Sequence, residues 1–188
     1  TAAGVGAAAF TLIRPELVRG AGKEKLKAGL VGCGGRGTQA VIDLMTGTEN
    51  VDLVAMGDVF EDHLNTSHDK LTSHAPITSR IQVDQEHRFL GFDAFQKVIA
   101  SDVDIVMLAT PPAYRPQYFE AAVAAKKHVF CEKPFGTDPV GVRRFMDAAR
   151  KSEELKLTVV SGAQRHFAAD YQETVQRIKE CAICEITA

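Results

Sequence analysis

A glycine-rich hexapeptide is the first feature of this chain that could do chemistry. Residues 32–37 (GCGGRG) follow the apolar residues 26–31 and precede a helical pattern. A strand that enters such a loop and then a helix can hold a dinucleotide pyrophosphate on backbone N–H groups at the positive end of the helix. Gly32 permits the tight turn, Gly34 lets a phosphate approach the backbone, and Gly37 lets the helix pack against the strand.

The choice of dinucleotide depends on Asp58 and Arg36. Asp58 ends the next apolar run, about 20 residues after the last glycine, where a carboxylate accepts hydrogen bonds from the adenosine ribose. A carboxylate there also repels the 2′-phosphate of NADP, which favours NAD. Arg36 lies in the loop beside Gly35 and could pair with a 2′-phosphate if it swings outward. NADP therefore stays open as the alternative cofactor.

Alternating apolar runs and helical patterns must position these residues. The apolar runs predict strands at residues 27–31, 51–57, 104–109, 128–131 and 157–161. Near-continuous runs of this kind are typical of parallel strands covered on both faces. Phe119, Ala122 and Val123 form an apolar stripe at helical spacing between two of these strands. The alternation predicts an α/β fold with a doubly wound parallel sheet.

One stretch does not follow this alternation. Residues 73–92 are polar, contain Pro76, and hold one short candidate strand at residues 88–92. A connection of this length inside a domain is uncommon. We interpret it as an elaboration of the surface rather than as part of a site.

Ligands of doubly wound folds bind beyond the carboxyl ends of the strands. In this sequence three further predicted strands end in short polar, glycine or proline segments, which are Thr110-Pro111-Pro112, Glu132-Lys133-Pro134 and Gly162-Ala163-Gln164-Arg165. We expect these segments to lie at the same edge as the glycine loop. A purely structural turn is the alternative interpretation of residues 110–112.

Composition and charge exclude several classes of protein. The chain has 188 residues, enough for one well-buried domain with part of a second. A net charge of −2 and a pI of about 6.3 give no indication of a nucleic-acid partner or an anionic membrane surface. No apolar run reaches the roughly 20 residues needed to cross a bilayer.

Both ends of the chain have unusual sequences. Residues 1–24 begin with small apolar residues and have no charge before Arg14, which resembles an export signal without its basic start. We expect an exported or periplasmic protein, with a disordered arm on a cytoplasmic protein as the alternative. Residues 185–188 read as a strand that has just begun, so the chain looks truncated at both ends. Cys181 and Cys184 form a CxxC without a second pair, which argues against a zinc site and leaves their role open.

Five segments in order carry a resemblance to a known family. They are the glycine loop, Asp58, ATPP at 109–112, HVFCEKP at 128–134 and SGAQRHFAADY at 161–171. Together they resemble the glucose-fructose oxidoreductase / inositol dehydrogenase / MocA family. The resemblance implies an NAD(P)-binding Rossmann domain over residues 25–163 and the truncated start of a second α/β domain over 164–188. Members with an apolar N-terminus of this kind carry a twin-arginine signal, although this chain has no Arg-Arg pair.

The resemblance also implies roles for individual residues. Lys133 matches the lysine that contacts the reacting hydroxyl, where an ammonium can hydrogen-bond the oxygen as hydride moves. The alternative for Lys133 is a structural pair with Glu132. Glu132 is expected to orient Lys133 or to line the cofactor pocket. The remaining expected contacts are Thr110 and Pro111 with the cofactor and Gln164 and Arg165 with the nicotinamide end or the substrate, and Arg165 could equally form an interdomain salt bridge.

The implied function is reversible hydride transfer between NAD(P) and a secondary hydroxyl of a sugar or polyol. The family's usual catalytic His, and often an Asp, match none of the six histidines here, so we expect the general base in a C-terminal domain and no turnover by this chain alone. We expect a homo-oligomer when the protein is full length, and no metal site. An NAD-dependent glycoside hydrolase of the same fold and a non-catalytic nucleotide sensor are the alternatives.

Overall fold

The computed structural model describes residues 25–180, and the predictions for residues 1–24 and for Cys181 and Cys184 lie outside this range. Six parallel strands form one sheet in the order β3-β2-β1-β4-β5-β6. Their bounds are β1 Leu26–Val31, β2 Val51–Asp58, β3 Arg88–Leu90, β4 Ile105–Leu108, β5 His128–Cys131 and β6 Val159–Ser161. The predicted α/β fold with a parallel sheet is confirmed, and each predicted strand is present within two residues.

Helices connect the strands and cover the two faces of the sheet. The helices are α1 Gly35–Gly47, α2 Glu61–Ser73, α3 Ala94–Ala100, α4 Arg115–Ala124, α5 Pro139–Glu154, α6 Gln164–Phe167 and α7 Ala169–Lys179. One apolar core lies between the sheet and α3, α4 and α5, and the other lies between the sheet and α1 and α2. The predicted stripe of α4 faces the first core, where Phe119 and Ala122 are fully buried.

Half of one sheet face has no helix over it among the described residues. A cavity of about 650 Å³ lies on the face that α1 covers, over β4, β5 and β6. Its lining includes the apolar side chains of Ile105, Met107, Phe130 and Val160. The sheet is therefore covered on both faces only over its β3-β2-β1 half. Within residues 25–180, no helix combines the length and the apolar character needed to cross a membrane.

The connection at residues 73–92 is mostly surface elaboration, as predicted. It contains two short 3-10 helices, Thr78–Arg80 and Gln85–His87, before the edge strand β3. Arg80 connects this segment to α1. Its guanidinium donates hydrogen bonds to Thr48 O at 2.6 Å and to Met45 O at 2.5 Å, at the negative end of the helix. The last two residues of this segment depart from the prediction, because Gly91 and Phe92 line the cavity that contains the glycine loop.

Two lysines with positive φ offer a test of local backbone strain. Lys126 and Lys156 follow α4 and α5 with φ of 58° and 56°, a conformation that favours glycine. We expect Lys126→Gly to raise the free energy of unfolding by about 0.5–1 kcal/mol, measured by urea denaturation, because the left-handed conformation costs a side chain about this much. Lys151→Gly, inside α5, is the control and should lower it by about 1 kcal/mol. Equal losses in both variants would contradict the assignment of strain to Lys126.

Candidate cofactor and active site

The glycine loop combines tight backbone packing with open space. Gly32 has a φ of +96°, and a Cβ there would lie 2.7 Å from Thr110 N. A Cβ on Gly37 would lie 1.9 Å from Gly32 O, so α1 and the end of β1 are in backbone contact. Added Cβ atoms at Gly34 and Gly35 would meet nothing within 4 Å. The loop is therefore closed on its protein side and open where a ligand would approach.

Asp58 anchors the loop from the end of β2. Its Oδ2 accepts a hydrogen bond from Cys33 N at 2.6 Å, and its Oδ1 accepts one from Phe60 N at 2.9 Å. His63 Nδ1 lies 3.8 Å from the same Oδ1. A carboxylate oxygen can accept more than one hydrogen bond, so both oxygens can still accept from a ligand.

A cavity of about 490 Å³ lies in front of the loop. Asp58, Thr110 and Pro111 line it together with the glycines and Arg36. Aromatic residues form much of the rest of the wall, namely Phe60, Phe92, Phe95, Tyr114 and Tyr118. Thr110 Oγ1 is buried and makes no hydrogen bond within residues 25–180. A buried polar atom without a partner at a cavity wall indicates a ligand that would supply one.

Glu132 links the loop to the far side of the sheet edge. It follows β5, is 2% exposed, and accepts hydrogen bonds at Oε1 from Arg36 Nε and Nη2, both at 2.6 Å. Gln164 Nε2 donates to the same carboxylate at 2.9 and 3.1 Å. A Cβ on Gly162 would lie 2.5 Å from it, so that glycine makes room for Glu132. A buried carboxylate needs such partners to offset its desolvation.

This ion pair also places Arg36. In the sheet, β2 and β5 lie on opposite sides of β1, so Glu132 and Asp58 stand on opposite sides of the loop. Arg36 is held by Glu132, and its Nη1 lies 3.6 Å from Asp43. In this arrangement the guanidinium is directed away from the position that a 2′-phosphate beside Asp58 would take.

Lys133 lies on an exposed turn next to Glu132. Within residues 25–180 its ammonium makes no hydrogen bond or ion pair, and the Glu132 carboxylate is bound to Arg36 and Gln164 instead. The Lys133–Pro134 peptide bond is cis. Pro134 O accepts a hydrogen bond from Arg115 Nη1 at 2.6 Å. The ammonium is thus available to a substrate, and Glu132 is not its direct partner.

The two other predicted substrate residues take different positions. Gln164 opens α6 and is bound to Glu132. Arg165 is exposed, and its guanidinium lies 5.6 Å from the ring centroid of Tyr171 on α7. Neither the substrate contact nor the interdomain salt bridge predicted for Arg165 is tested by this arrangement.

The described cysteines do not form a reactive centre. Burial raises the pKa of the Cys33 thiol, with a further contribution from Asp58, and burial raises the pKa of Cys131 to about 12. Both side chains are therefore neutral thiols at physiological pH and are small buried residues of the core. Residues 25–180 also contain no cluster of His, Cys, Asp or Glu that could hold a metal ion.

A family model identifies the protein family of the chain. The model of an oxidoreductase family with an NAD-binding Rossmann fold, Gfo/Idh/MocA, matches residues 26–161, which include the loop, Asp58 and Lys133. The chain belongs to this family. The resemblance predicted from the five segments and the expected cofactor class, NAD, are thereby confirmed.

Two curated relatives of the chain are named as inositol dehydrogenases. An inositol 2-dehydrogenase of Klebsiella pneumoniae is 28% identical over 127 residues, which cover 68% of this chain and 34% of the relative. The myo-inositol 2-dehydrogenase of Thermotoga maritima is 25% identical over 158 residues, covering 84% of this chain and 42% of the relative. The chain therefore spans less than half the length of these curated relatives.

Solved structures of the family share the fold. The scyllo-inositol dehydrogenase of Lactobacillus casei, solved with NAD(H) and scyllo-inositol, superposes with a TM-score of 0.68 at 24% identity, covering 87% of this chain and 44% of that one. The myo-inositol 2-dehydrogenase of Lactobacillus plantarum gives a TM-score of 0.70 at 20% identity, covering 87% and 43%. At this level of identity the likeness establishes the Rossmann architecture alone.

Sequence reasoning missed several residues of this Gfo/Idh/MocA site. Arg115 lines the cavity and contacts the Lys133 turn, and Phe60, Phe92 and Tyr114 form its aromatic wall. Arg115 could have been noticed in the sequence, because it is the first residue of a helix, where the helix dipole disfavours a cation. No sequence pattern marked the aromatic residues, since they come from separate segments that only the fold brings together.

Proposed function

We propose that the full protein is an NAD-dependent oxidoreductase that moves a hydride between NAD and a secondary hydroxyl of a polyol or sugar. The Arg36–Glu132 ion pair is the observation that carries this proposal, because it joins the glycine loop to the segment that bears Lys133. A cofactor loop and a lysine turn at one edge of the sheet are what hydride transfer requires. The relatives named as inositol 2-dehydrogenases support a cyclic polyol as the substrate class.

The residues present fit a dinucleotide. The open space at Gly34 and Gly35 and the N-terminus of α1 provide room and N–H donors for a pyrophosphate. Asp58 would accept from the ribose hydroxyls, and the unpartnered Thr110 hydroxyl, beside Pro111, would donate to the same ligand. When bound, NAD supplies a carbon that accepts or returns hydride.

The side chains of this chain would then act on the substrate oxygen. Lys133 donates a hydrogen bond to that oxygen and stabilises the charge that develops on it as its proton leaves. Glu132 fixes the segment before Lys133 through Arg36 and Gln164, so Gln164 acts on the site through Glu132. Arg165 is the residue we assign to hydrogen bonding with the substrate's other hydroxyls.

An assay of the full-length protein tests this function. Purified protein is incubated with NAD and a panel that includes myo-inositol, scyllo-inositol, free aldoses and aryl glycosides. We expect NADH to accumulate in proportion to a ketone product with a cyclic polyol or a sugar. Release of an aglycone without net NADH would instead establish the glycoside hydrolase, and NAD binding without turnover of any substrate would favour the sensor.

The role of Asp58 in cofactor choice gives a separate prediction. We expect Asp58→Ser to weaken NAD binding by roughly 10-fold or more, because hydrogen bonds to the ribose are lost. NADP binding should change much less, since the repulsion of its 2′-phosphate is removed at the same time. Fluorescence titration with both cofactors measures the ratio of the two affinities.

Asp69→Ser, an exposed carboxylate on α2, is the control for this substitution. Its NAD to NADP affinity ratio should equal that of the unmodified protein. An unchanged ratio in Asp58→Ser would exclude Asp58 as the determinant of cofactor choice.

We also propose that the full-length protein is exported and forms a homo-oligomer. The export proposal depends on the composition of residues 1–24, and the oligomer proposal depends on the family resemblance. Fractionation of cells that express the complete gene would test the first. Light scattering on the purified product would test the second.

A further inference from the structure

Arg115 is a buried arginine in contact with the turn that carries Lys133. It is the first residue of α4 and is 6% exposed. Its Nη1 donates to Pro134 O at 2.6 Å. Its Nε is buried and has no hydrogen-bond partner among residues 25–180. The side chain also lines the cavity in front of the glycine loop, so it contacts both the turn and the cofactor space.

The turn depends on this one polar contact. Within the described part of the chain, the backbone of residues 133–137 makes no other hydrogen bond. The flanking residues are fixed independently, because Glu132 N donates to Leu108 O at 2.9 Å and Asp138 caps α5. Between these two anchors, the ring of Phe135 stacks on Phe145 with centroids 4.8 Å apart. Among residues 25–180, Arg115 is therefore the only group that holds the backbone of residues 133–137 through a hydrogen bond.

A purely structural role explains Arg115 poorly. A buried guanidinium loses hydration, and at the first turn of a helix it opposes the dipole. No carboxylate forms an ion pair with it among residues 25–180. An apolar side chain of similar volume would fill this space at lower cost in free energy. An apolar side chain could not donate a hydrogen bond to the carbonyl oxygen of Pro134.

We propose that Arg115 is a positioning residue for Lys133. By binding Pro134 O it fixes the backbone next to Lys133, and through that backbone the position of the ammonium relative to the cofactor cavity that Arg115 itself lines. This inference rests on the proposed catalytic role of Lys133. It assigns Arg115 no contact with the reacting atoms.

Arg115→Met in the full-length protein tests this role with three measurements. We expect kcat for the polyol to fall by roughly 10- to 100-fold, as a small misplacement of a reacting group produces. The Kd for NAD, from fluorescence titration, should stay within about twofold. In the NAD-free protein, the NMR order parameters of the Phe135 and Gly136 amides should fall below about 0.6, with those of the strands unchanged.

Two further variants separate positioning from general packing. Arg115→Lys keeps a cation whose ammonium can donate to Pro134 O, and it should recover most of kcat and of the order parameters. Arg144→Met breaks the surface ion pair between α5 and Glu120 of α4 and should leave all three measurements unchanged. If Arg115→Met does not fold by circular dichroism, Arg115→Leu replaces it under the same criteria, because it also lacks a donor for Pro134 O.

Unchanged order parameters at Phe135 and Gly136 in Arg115→Met would overturn the proposal. So would an NAD affinity more than about 10-fold weaker with unchanged order parameters, which would make Arg115 a cofactor ligand. Failure of the proposed function is distinguishable, because no substrate of the panel would then give NADH with the unmodified protein, and full activity of Lys133→Met would remove only the role of Lys133. The order parameters of the NAD-free protein do not depend on either activity.

Discussion

Replacing Lys133 with methionine is expected to lower kcat of the full-length protein by roughly 10²- to 10⁴-fold. Methionine keeps the length and apolar stem of the side chain and removes only the ammonium. Lys133 is exposed and has no protein partner within residues 25–180, so its loss should leave the free energy of unfolding within about 0.5 kcal/mol. The NAD affinity should also stay nearly constant, because the glycine loop and Asp58 are untouched.

Steady-state kinetics with NAD and the best polyol from the panel measure this effect. Lys151→Met removes an exposed ammonium from α5, where it pairs with Glu154, and should leave kcat unchanged. A Lys133→Met enzyme with normal kcat and a raised KM would show that Lys133 binds substrate without assisting proton movement. Equal activity in both variants would remove Lys133 from the mechanism.

Gly37→Ala is expected to abolish measurable NAD binding. The added methyl group would lie 1.9 Å from Gly32 O, which belongs to the loop itself, so neither side can yield without moving α1 away from β1. Such overpacking against backbone should lower the free energy of unfolding by about 3 kcal/mol. Displacing α1 also displaces its N-terminal N–H groups from the pyrophosphate position, so NAD affinity should fall by at least about 100-fold.

Calorimetric titration with NAD and urea denaturation measure the two consequences separately. Gly47→Ala is the matched control at the other end of α1, where an added Cβ meets nothing within 4 Å. That substitution should raise stability by about 0.5–1 kcal/mol and leave NAD binding intact. Retention of normal NAD affinity by a folded Gly37→Ala protein would refute close helix–strand packing as a condition of binding.

Much of the sheet was predictable because its signals are local. Near-continuous apolar runs are typical of parallel strands, so the runs that became β1, β2, β4, β5 and β6 were visible one at a time. The glycine loop and Asp58 were predictable for the same reason, since each directly follows such a run. The sequence pattern was weak only for β3, because a three-residue edge strand has few apolar residues.

The connections across the site were not predictable, because they join segments distant in sequence. Arg36 and Glu132 are 96 residues apart, and their ion pair depends on β5 lying on the side of β1 opposite to β2. The sequence predicted that Glu132 would orient Lys133 or line the pocket. The structure shows its carboxylate bound to Arg36 and Gln164, with no hydrogen bond to Lys133 among the described residues.

Sequence alone determined the fold class and the family, and it predicted the place where a dinucleotide would bind. Those properties follow from hydrophobic periodicity and from glycines at one turn. Both patterns involve residues that are close together in the sequence. Only the tertiary structure decided which partner holds Arg36 and how the Lys133 turn is held. Arg36 could have served a 2′-phosphate, but strand order placed the buried Glu132 within its reach and directed it away from Asp58. The ion pair with Arg36 is strongly favoured, because burying the Glu132 carboxylate without a cation would cost several kcal/mol.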